Sequence, residues 1–100
     1  MALPKFLKPC FPSYDLDSLD LQRNKKLIIT QILNFGTERD LKWLGRAYSQ
    51  RDFKEVLSQP ERGVWLKEVL LYWLKVFNLK ISKKAFQQAI LDLRPHFGQK

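Results

Sequence analysis

Apolar residues recur along most of the chain at the three- and four-residue spacing that places side chains on one face of an α-helix. No stretch alternates apolar and polar residues for long enough to predict a β-strand. The pattern therefore predicts an all-α protein, folded as a single compact bundle of about five helices. The predicted helices cover residues 21–34, 38–48, 50–58, 61–77 and 83–93.

Short polar side chains stand where several of these helices begin, and they are suited to cap them. Thr37 and Ser49 are each followed three residues later by an aspartate, Asp40 and Asp52. This spacing is the pattern of a reciprocal capping box, so it predicts the starts of the second and third helices. The other start and stop residues are Asp20, Gly36, Pro60, Ser82 and Pro95.

The fourth predicted helix, residues 61–77, is apolar almost all the way round, which is typical of the central helix of a bundle. Its narrow polar wedge contains Lys67 and Lys75, yet the apolar residues Val64 and Leu71 fall in the same wedge. Apolar residues on an otherwise polar face predict a covered surface. The cover is the N-terminal arm, a second copy of the chain in a homodimer, or a partner protein.

Residues 1–19 contain three prolines and no helical pattern, so they predict an irregular arm packed on the body of the protein. The helical domain is predicted over residues 20–94 and a frayed tail over residues 95–100. The side chains expected to hold the arm in place are Phe6, Phe11 and Tyr14.

The chain has 100 residues, 45% of them hydrophobic, which is enough for one domain with its own core. A single cysteine excludes a disulfide within the chain and leaves no ligand set for a structural zinc site. No apolar run is long enough to span a membrane, and the N-terminus lacks the continuous apolar stretch of a secretory signal. These features predict a cytoplasmic protein without a membrane partner.

The charge balance is strongly basic, with a formal net charge of +8. Residues 21–100 hold 16 basic and 7 acidic residues, so the excess lies in the helical region. A positive field of this kind attracts nucleic acid, acidic protein surfaces or phospholipid. The alternative is that the charge serves only the solubility of a small protein.

Basic residues on the second and third predicted helices are candidates for a binding face. On the second helix, three of them fall within an arc of about 60° because their spacings are three and four residues. Two capped helices joined by a tight corner are able to present one helix to DNA, with Gln50 and Arg51 as the candidates that read bases. The alternative is the charged outer face that any soluble bundle carries. The candidate basic residues are Arg39, Lys42, Arg46, Arg51 and Lys54.

Catalytic chemistry is not expected from the distribution of reactive residues. The only histidine, His96, and the only cysteine, Cys10, lie in opposite termini, and the glycines are too scattered to form a phosphate-binding loop. The acidic run over residues 15–20 is superficially similar to a calcium loop, yet it lacks the central glycine and has Lys26 where a carboxylate is required. Helix capping explains these acids better, so we expect no enzyme activity, no cofactor and no metal.

A set of residues between positions 11 and 60 forms a recognisable pattern. Its members are Phe11, Tyr14, Asp15, Leu19, Asp20, Ile28, Ile29, Gly36, Asp40, Trp43, Leu44 and Tyr48. The pattern resembles a family of small, uncharacterised, all-helical prokaryotic proteins, although Pro12 and Ser13 stand where that family has tryptophan and aspartate. Members are often encoded beside nucleotidyltransferase-like proteins of the abortive-infection type. The resemblance implies an accessory or antitoxin-like role in a two-protein module.

The leading hypothesis is therefore a non-enzymatic interaction protein, the small partner of a nucleotidyltransferase-type protein. It would dock through Val64, Leu71 and the arm. The alternative is a nucleic-acid-binding transcriptional regulator that uses the basic helical face. The first predicts a protein complex that Leu71→Asp abolishes, and the second predicts an affinity that falls steeply with salt.

Overall fold

The computed structural model of the chain describes residues 3–91. Two short 3₁₀ helices, Lys5–Cys10 and Leu16–Ser18, precede five α-helices. Residues 3–91 contain no strand beyond one isolated backbone bridge, so the predicted all-α fold is confirmed. Within the same range, no helix has the length and continuous apolar surface that a membrane span requires. The α-helices are α1 (Lys25–Phe35), α2 (Glu38–Ala47), α3 (Gln50–Ser58), α4 (Lys67–Val76) and α5 (Lys83–Ala89).

Helix α1 lies at the centre of the fold, in contact with the first 3₁₀ helix, α2, α3 and α4. It buries residues on several sides, and Ile28, Ile29 and Ile32 are completely inaccessible. Helix α4 buries only Leu70 and Leu74. The prediction that the fourth helix is the central one is therefore wrong, because α4 packs mainly on α1 and α3 and leaves its other side uncovered.

The predicted bounds of α3 are confirmed, α2 ends at Ala47, one residue before its predicted end, and both helices begin with the predicted capping box. The Thr37 hydroxyl accepts a hydrogen bond from the Asp40 N–H at 3.5 Å, and the Asp40 carboxylate accepts one from the Thr37 N–H at 2.9 Å. Ser49 and Asp52 repeat this arrangement at 3.3 and 2.9 Å. Each box satisfies backbone donors that the first helical turn leaves unpaired, so residues within four neighbouring positions are enough to specify these starts.

Helix α1 begins at Lys25, later than the predicted start at residue 21. The Asp20 carboxylate does accept hydrogen bonds from the N–H groups of Arg23 and Gln22, at 2.7 and 3.0 Å. The Arg23 bond contributes most to holding the pKa of Asp20 below its usual value. These bonds close a separate turn, because the Asp20 N–H donates to the Asn24 side chain at 2.8 Å and ties the two ends of the turn together.

Residues 61–66, predicted as the first part of the fourth helix, are not helical. Gly63 has a φ of +73°, which a right-handed helix does not allow. The N–H groups of Val64 and Trp65 both donate to the Ala89 carbonyl, at 3.0 and 2.9 Å. Because these donors are committed to a distant part of the chain, the segment is extended and α4 begins only after it.

The side chain of Asn34 on α1 also forms hydrogen bonds with the segment over residues 61–66. Its Nδ2 donates to the Val64 carbonyl at 2.7 Å, and its Oδ1 accepts from the Leu66 N–H at 3.2 Å. Asn34 is itself buried. One buried side chain therefore satisfies two backbone groups that helix formation would otherwise have paired.

Helix α5 starts as predicted, with the Ser82 hydroxyl accepting from the Ala85 N–H at 3.0 Å. It ends at Ala89, before the predicted end at residue 93. The chain leaves the helix because the Leu91 N–H donates to the Trp65 carbonyl at 2.8 Å. The later part of that prediction, with Pro95, His96 and the predicted tail, lies outside the described residues.

The N-terminal arm packs on α1, and two short 3₁₀ helices that the sequence did not predict lie within this otherwise irregular segment. Cys10 and Phe11 are buried, and the Gln31 side chain of α1 donates to the Cys10 carbonyl at 2.8 Å. Phe6 is partly buried against the core. Tyr14 is 39% exposed and meets the Phe11 ring edge-on, so the three aromatic residues hold the arm to different extents.

Candidate functional site

A groove of about 440 Å³ is formed by α4, α5 and the connection between them. Most of its lining is apolar, the remainder is basic, and no acidic residue lines it. We call this surface the Leu71 groove. It is lined by Leu71, Leu74, Leu79, Ile81 and Phe86 together with Lys75, Lys80 and Lys83.

Leu71 is exposed because α4 packs on α1 through other residues. Leu70 and Leu74 are buried, and the Trp73 indole N–H donates to the Leu33 carbonyl of α1 at 3.1 Å. Leu71 follows Leu70 by about 100° around the helix axis, and its side chain is 42% exposed. The groove therefore presents a large apolar side chain to solvent.

Further exposed apolar side chains lie on the same helix. Tyr72 is 59% exposed and Val76 is 51% exposed. Single exposed apolar residues are common on monomeric proteins, and they need no functional explanation. Tyr72 and Val76 do not line the Leu71 groove and belong to this class, whereas the contiguous apolar lining of the groove is typical of an interaction surface.

The lysines of the Leu71 groove form no ion pair with any residue in the range 3–91. The ion pairs in this range involve Lys25, Lys26 and Lys42 instead. A lysine beside an apolar groove keeps its ammonium group in water while its alkyl chain covers apolar surface. The groove is consequently both apolar and positively charged.

Val64, the other residue predicted for this surface, lies elsewhere. Its N–H donates to the Ala89 carbonyl, and its side chain packs partly buried beside α1. The predicted wedge shared by Val64 and Leu71 is not formed, because it required a helix through residues 61–66. None of residues 3–19 lines the Leu71 groove, so this part of the arm does not cover Leu71.

A second groove, of about 390 Å³, runs along α2, and we call it the α2 groove. The centre of the Arg39 guanidinium lies 3.9 Å from the centroid of the Phe6 ring, a cation–π contact that joins α2 to the arm. The Lys42 ammonium lies 3.9 Å from the Glu38 carboxylate in an exposed ion pair, and such pairs contribute little to stability. The α2 groove is lined by Arg39, Lys42 and Arg46 together with Phe6, Trp43 and Glu38.

The remaining predicted basic residues, Arg51 and Lys54, are exposed on α3 and do not line the α2 groove. Gln50, the other candidate for reading bases, is also exposed at the start of α3. The structure thus groups three of the five predicted basic residues and leaves two outside.

Cys10 is a buried thiol whose Sγ donates to the Asp40 carboxylate at 3.6 Å. Burial, followed by the neighbouring Asp40 charge, raises the pKa of Cys10 to about 11. The nucleophilic thiolate is therefore not the form present at neutral pH. His96, the other candidate for chemistry, lies outside the described residues.

The acidic residues before α1 do make capping hydrogen bonds, but the prediction that Asp20 caps the first helix is wrong, because α1 begins at Lys25 with Asn24 as its N-cap. The Asp15 carboxylate accepts from the Asp17 N–H at 3.1 Å, and Asp20 closes the turn described above. Across residues 3–91, no group of three or more histidine, cysteine, aspartate or glutamate side chains is placed to hold a metal ion.

A cavity of about 320 Å³ beside α1, which we call the α1 cavity, was not indicated by the sequence pattern. Thr30 lines it, together with residues of the arm and of the connection between α3 and α4. The only sequence signal for this residue is a polar side chain within the apolar run of α1. That signal does not reveal a cavity, because its other walls come from distant parts of the chain.

The model of a family described as "Family of unknown function (DUF6922)" matches residues 6–57. The match runs from the first 3₁₀ helix through nearly all of α3 and includes the lining of the α2 groove. The Leu71 groove lies outside the matched region. No curated protein and no solved structure matches the chain.

Proposed function

The chain belongs to the family of unknown function DUF6922, and we propose that it is a non-enzymatic interaction protein that docks on a partner through the Leu71 groove. The observation that carries this proposal is the groove itself, which combines an exposed leucine with three lysines that have no ion-pair partner within residues 3–91. Because the groove lies outside the family match, the proposal concerns this chain rather than every family member.

We infer that the occupant of the Leu71 groove is an amphipathic helix of the partner that carries acidic residues. Recognition of a helix in a groove requires an apolar strip on the receiving surface, which the α4 and α5 side chains supply. Acidic residues beside the apolar strip of the incoming helix would pair with the groove lysines. Opposite charges across an interface speed association and fix the register of the two partners.

The resemblance over residues 11–60 supports a specific partner, the nucleotidyltransferase-type protein of the abortive-infection kind that is encoded beside such chains. In this pair the chain would be the small accessory or antitoxin-like member. That role needs no catalytic residues in the chain, because its effect depends on occupying a surface of the partner.

The variant Leu71→Asp tests the groove. We expect its affinity for the purified nucleotidyltransferase-type partner, measured by isothermal titration calorimetry, to fall by at least about 100-fold. Loss of the leucine side chain from the interface costs roughly 1.5–3 kcal/mol, and the new carboxylate repels the acidic residues of the incoming helix and competes with them for the groove lysines. Because Leu71 is 42% exposed in the free chain, the variant should retain its fold, which circular dichroism and thermal unfolding verify.

Tyr72→Asp is the matched control for this experiment. It introduces the same charge at the adjacent position, which is more exposed and does not line the groove. Its affinity should remain within about threefold of the wild type, as is usual for surface substitutions. A folded Leu71→Asp variant that binds the partner as tightly as Tyr72→Asp would refute the proposal. A wild-type homodimer that Leu71→Asp dissociates would show that a second copy occupies the groove instead.

A second candidate function, binding of nucleic acid, is favoured by the α2 groove. This groove brings together three cations that would contact the phosphate backbone of one nucleic acid, namely Arg39, Lys42 and Arg46. Phosphate contacts of this kind supply affinity without reading sequence. In this function the chain would be a regulator, with residues at the start of α3 placed beside the bases.

Fluorescence anisotropy with labelled DNA and RNA tests this second function between 50 and 200 mM salt. A plot of the logarithm of the affinity for duplex DNA against the logarithm of the salt concentration should have a slope of about −0.9 for each phosphate neutralised. Arg46→Glu should weaken binding and reduce the slope, whereas the control Lys80→Glu, in the other groove, should not. An affinity that is independent of salt, or equal in the two variants, would exclude the α2 groove.

A further inference from the structure

We propose that the α1 cavity binds a small monocarboxylate with an apolar body. Its volume of about 320 Å³ lies at the lower end of the roughly 300–1,000 Å³ that small-molecule sites occupy. Three separate parts of the chain line it: Tyr14 from the arm, residues 23–31 in and before α1, and the connection that contains Glu61 and Val64. The α1 cavity and the Leu71 groove share no lining residue.

Thr30 supplies the strongest evidence for a ligand. Its side chain is only 2% exposed and lines the cavity, yet its hydroxyl has no hydrogen-bond partner among residues 3–91. A buried hydroxyl without a partner costs stability, and native proteins keep few such groups. A ligand that forms a hydrogen bond with Thr30 Oγ1 removes this cost when it binds.

Other polar side chains on α1 do have protein partners. The Asn34 amide donates to one backbone carbonyl at 2.7 Å and accepts from one backbone N–H at 3.2 Å. The Gln31 amide donates to the Cys10 carbonyl at 2.8 Å. Thr30 is therefore an exception on a helix that is otherwise well paired, and loose packing of α1 does not explain it.

Charged side chains that line the cavity favour an anion. The Lys26 ammonium and the Glu61 carboxylate pair with each other at 3.3 Å. Arg23 is exposed and forms no ion pair within the described residues, although the Asp20 carboxylate accepts its backbone N–H. The cavity lining thus keeps one net positive charge, on a guanidinium that can bind a carboxylate through two parallel hydrogen bonds.

The remaining lining defines the rest of the ligand. One net positive charge matches a carboxylate better than a phosphate group, which carries more negative charge at neutral pH. Leu27, Val64 and the Tyr14 ring offer apolar contact to the body of the ligand. A second polar group on that body would reach Thr30.

Titration with 4-hydroxybenzoate tests this assignment, with the uncharged 4-hydroxybenzamide as the control ligand. In ¹H–¹⁵N correlation spectra of the full chain, we expect saturable shifts at the amides of Leu27, Thr30 and Val64 with the acid only. Arg23→Gln should weaken binding by at least about tenfold, because hydrogen bonds to charged groups are the stronger ones. Thr30→Val keeps the shape of the side chain and removes the hydroxyl, so it should weaken binding about three- to tenfold.

The thermal midpoint of unligated Thr30→Val supplies a second readout. It should lie above that of the wild type, because the variant no longer buries an unpaired hydroxyl. A lower midpoint would show that the hydroxyl is satisfied without a ligand, and this would overturn the proposal. Absence of saturable shifts with 4-hydroxybenzoate, or equal binding of the amide, would overturn it as well.

Discussion

Cys10 and Asp40 make a buried polar contact where the N-terminal arm meets α2. The Asp40 carboxylate accepts the N–H of Thr37 at the start of α2 and also accepts the Cys10 thiol. A protonated thiol can make this contact, whereas a thiolate would place a second negative charge in the same buried site. This hydrogen bond between the arm and α2 therefore depends on the protonation of the Cys10 thiol.

The protein should lose stability as the pH rises from about 9 to about 11. The pKa of Cys10 is raised by burial, and then by Asp40, from its usual value of 9.0 to about 11 in the folded chain. The contribution of the thiol is thus fully present below pH 9, and it is lost as the pH rises towards the folded pKa because the unfolded chain releases its proton first.

Thermal unfolding midpoints between pH 8 and 11 measure this loss, with Cys10→Ser as the comparison. Serine keeps a donor for Asp40 and does not ionise in this range, so the midpoint of the variant should fall less steeply with pH. Tyr48, whose pKa burial raises to about 12, titrates in both proteins and does not affect the comparison. Parallel slopes in the two proteins would contradict the role assigned to the thiol.

Among the secondary-structure elements, the extended segment over residues 61–66 determines where α4 begins and where α5 ends. Its backbone is bonded to Asn34 on α1 and to Ala89 at the end of α5. These bonds delay the start of α4 and end α5 early. The chain turns into this segment at Gly63, whose φ is +73°.

Gly63→Ala and Gly45→Ala should change the free energy of unfolding in opposite directions. An added Cβ meets nothing within 4 Å at either position, so packing does not decide the outcome. Gly63→Ala forces a side chain into the left-handed region and should cost about 1 kcal/mol. Gly45 lies inside α2, where alanine should add about 1 kcal/mol. Urea denaturation measures both values, and effects of the same sign would count against this description of the backbone.

The starts of α2 and α3 could be predicted from the sequence because each capping box is contained within four neighbouring residues. The start of α4 could not, because residues 61–66 have helical spacing of apolar side chains but bind Asn34 and Ala89, which are distant in sequence. The candidate surfaces show the same difference between features set by neighbouring residues and features set by distant ones. The cations of the α2 groove follow from spacing along one helix, whereas the positions of Val64 and Thr30 depend on how separate elements meet.

In the whole molecule, the two grooves belong to different elements that pack on the same central helix. The α2 groove is formed by α2 and the arm, and the Leu71 groove is formed by α4 and α5. Both α2 and α4 contact α1. A protein partner can therefore occupy one groove while the other stays exposed, and Leu71→Asp should leave any binding of nucleic acid unchanged.

Hydrogen–deuterium exchange of the chain, free and mixed with the proposed nucleotidyltransferase-type partner, tests most directly whether that protein occupies the Leu71 groove. Binding should slow exchange in peptides that cover residues 67–89, because the partner excludes water from α4, α5 and their connection. Peptides that cover residues 37–47, which include α2, should exchange as in the free chain. Slower exchange confined to α2, or no change over α4 and α5 in a saturated complex, would contradict the account.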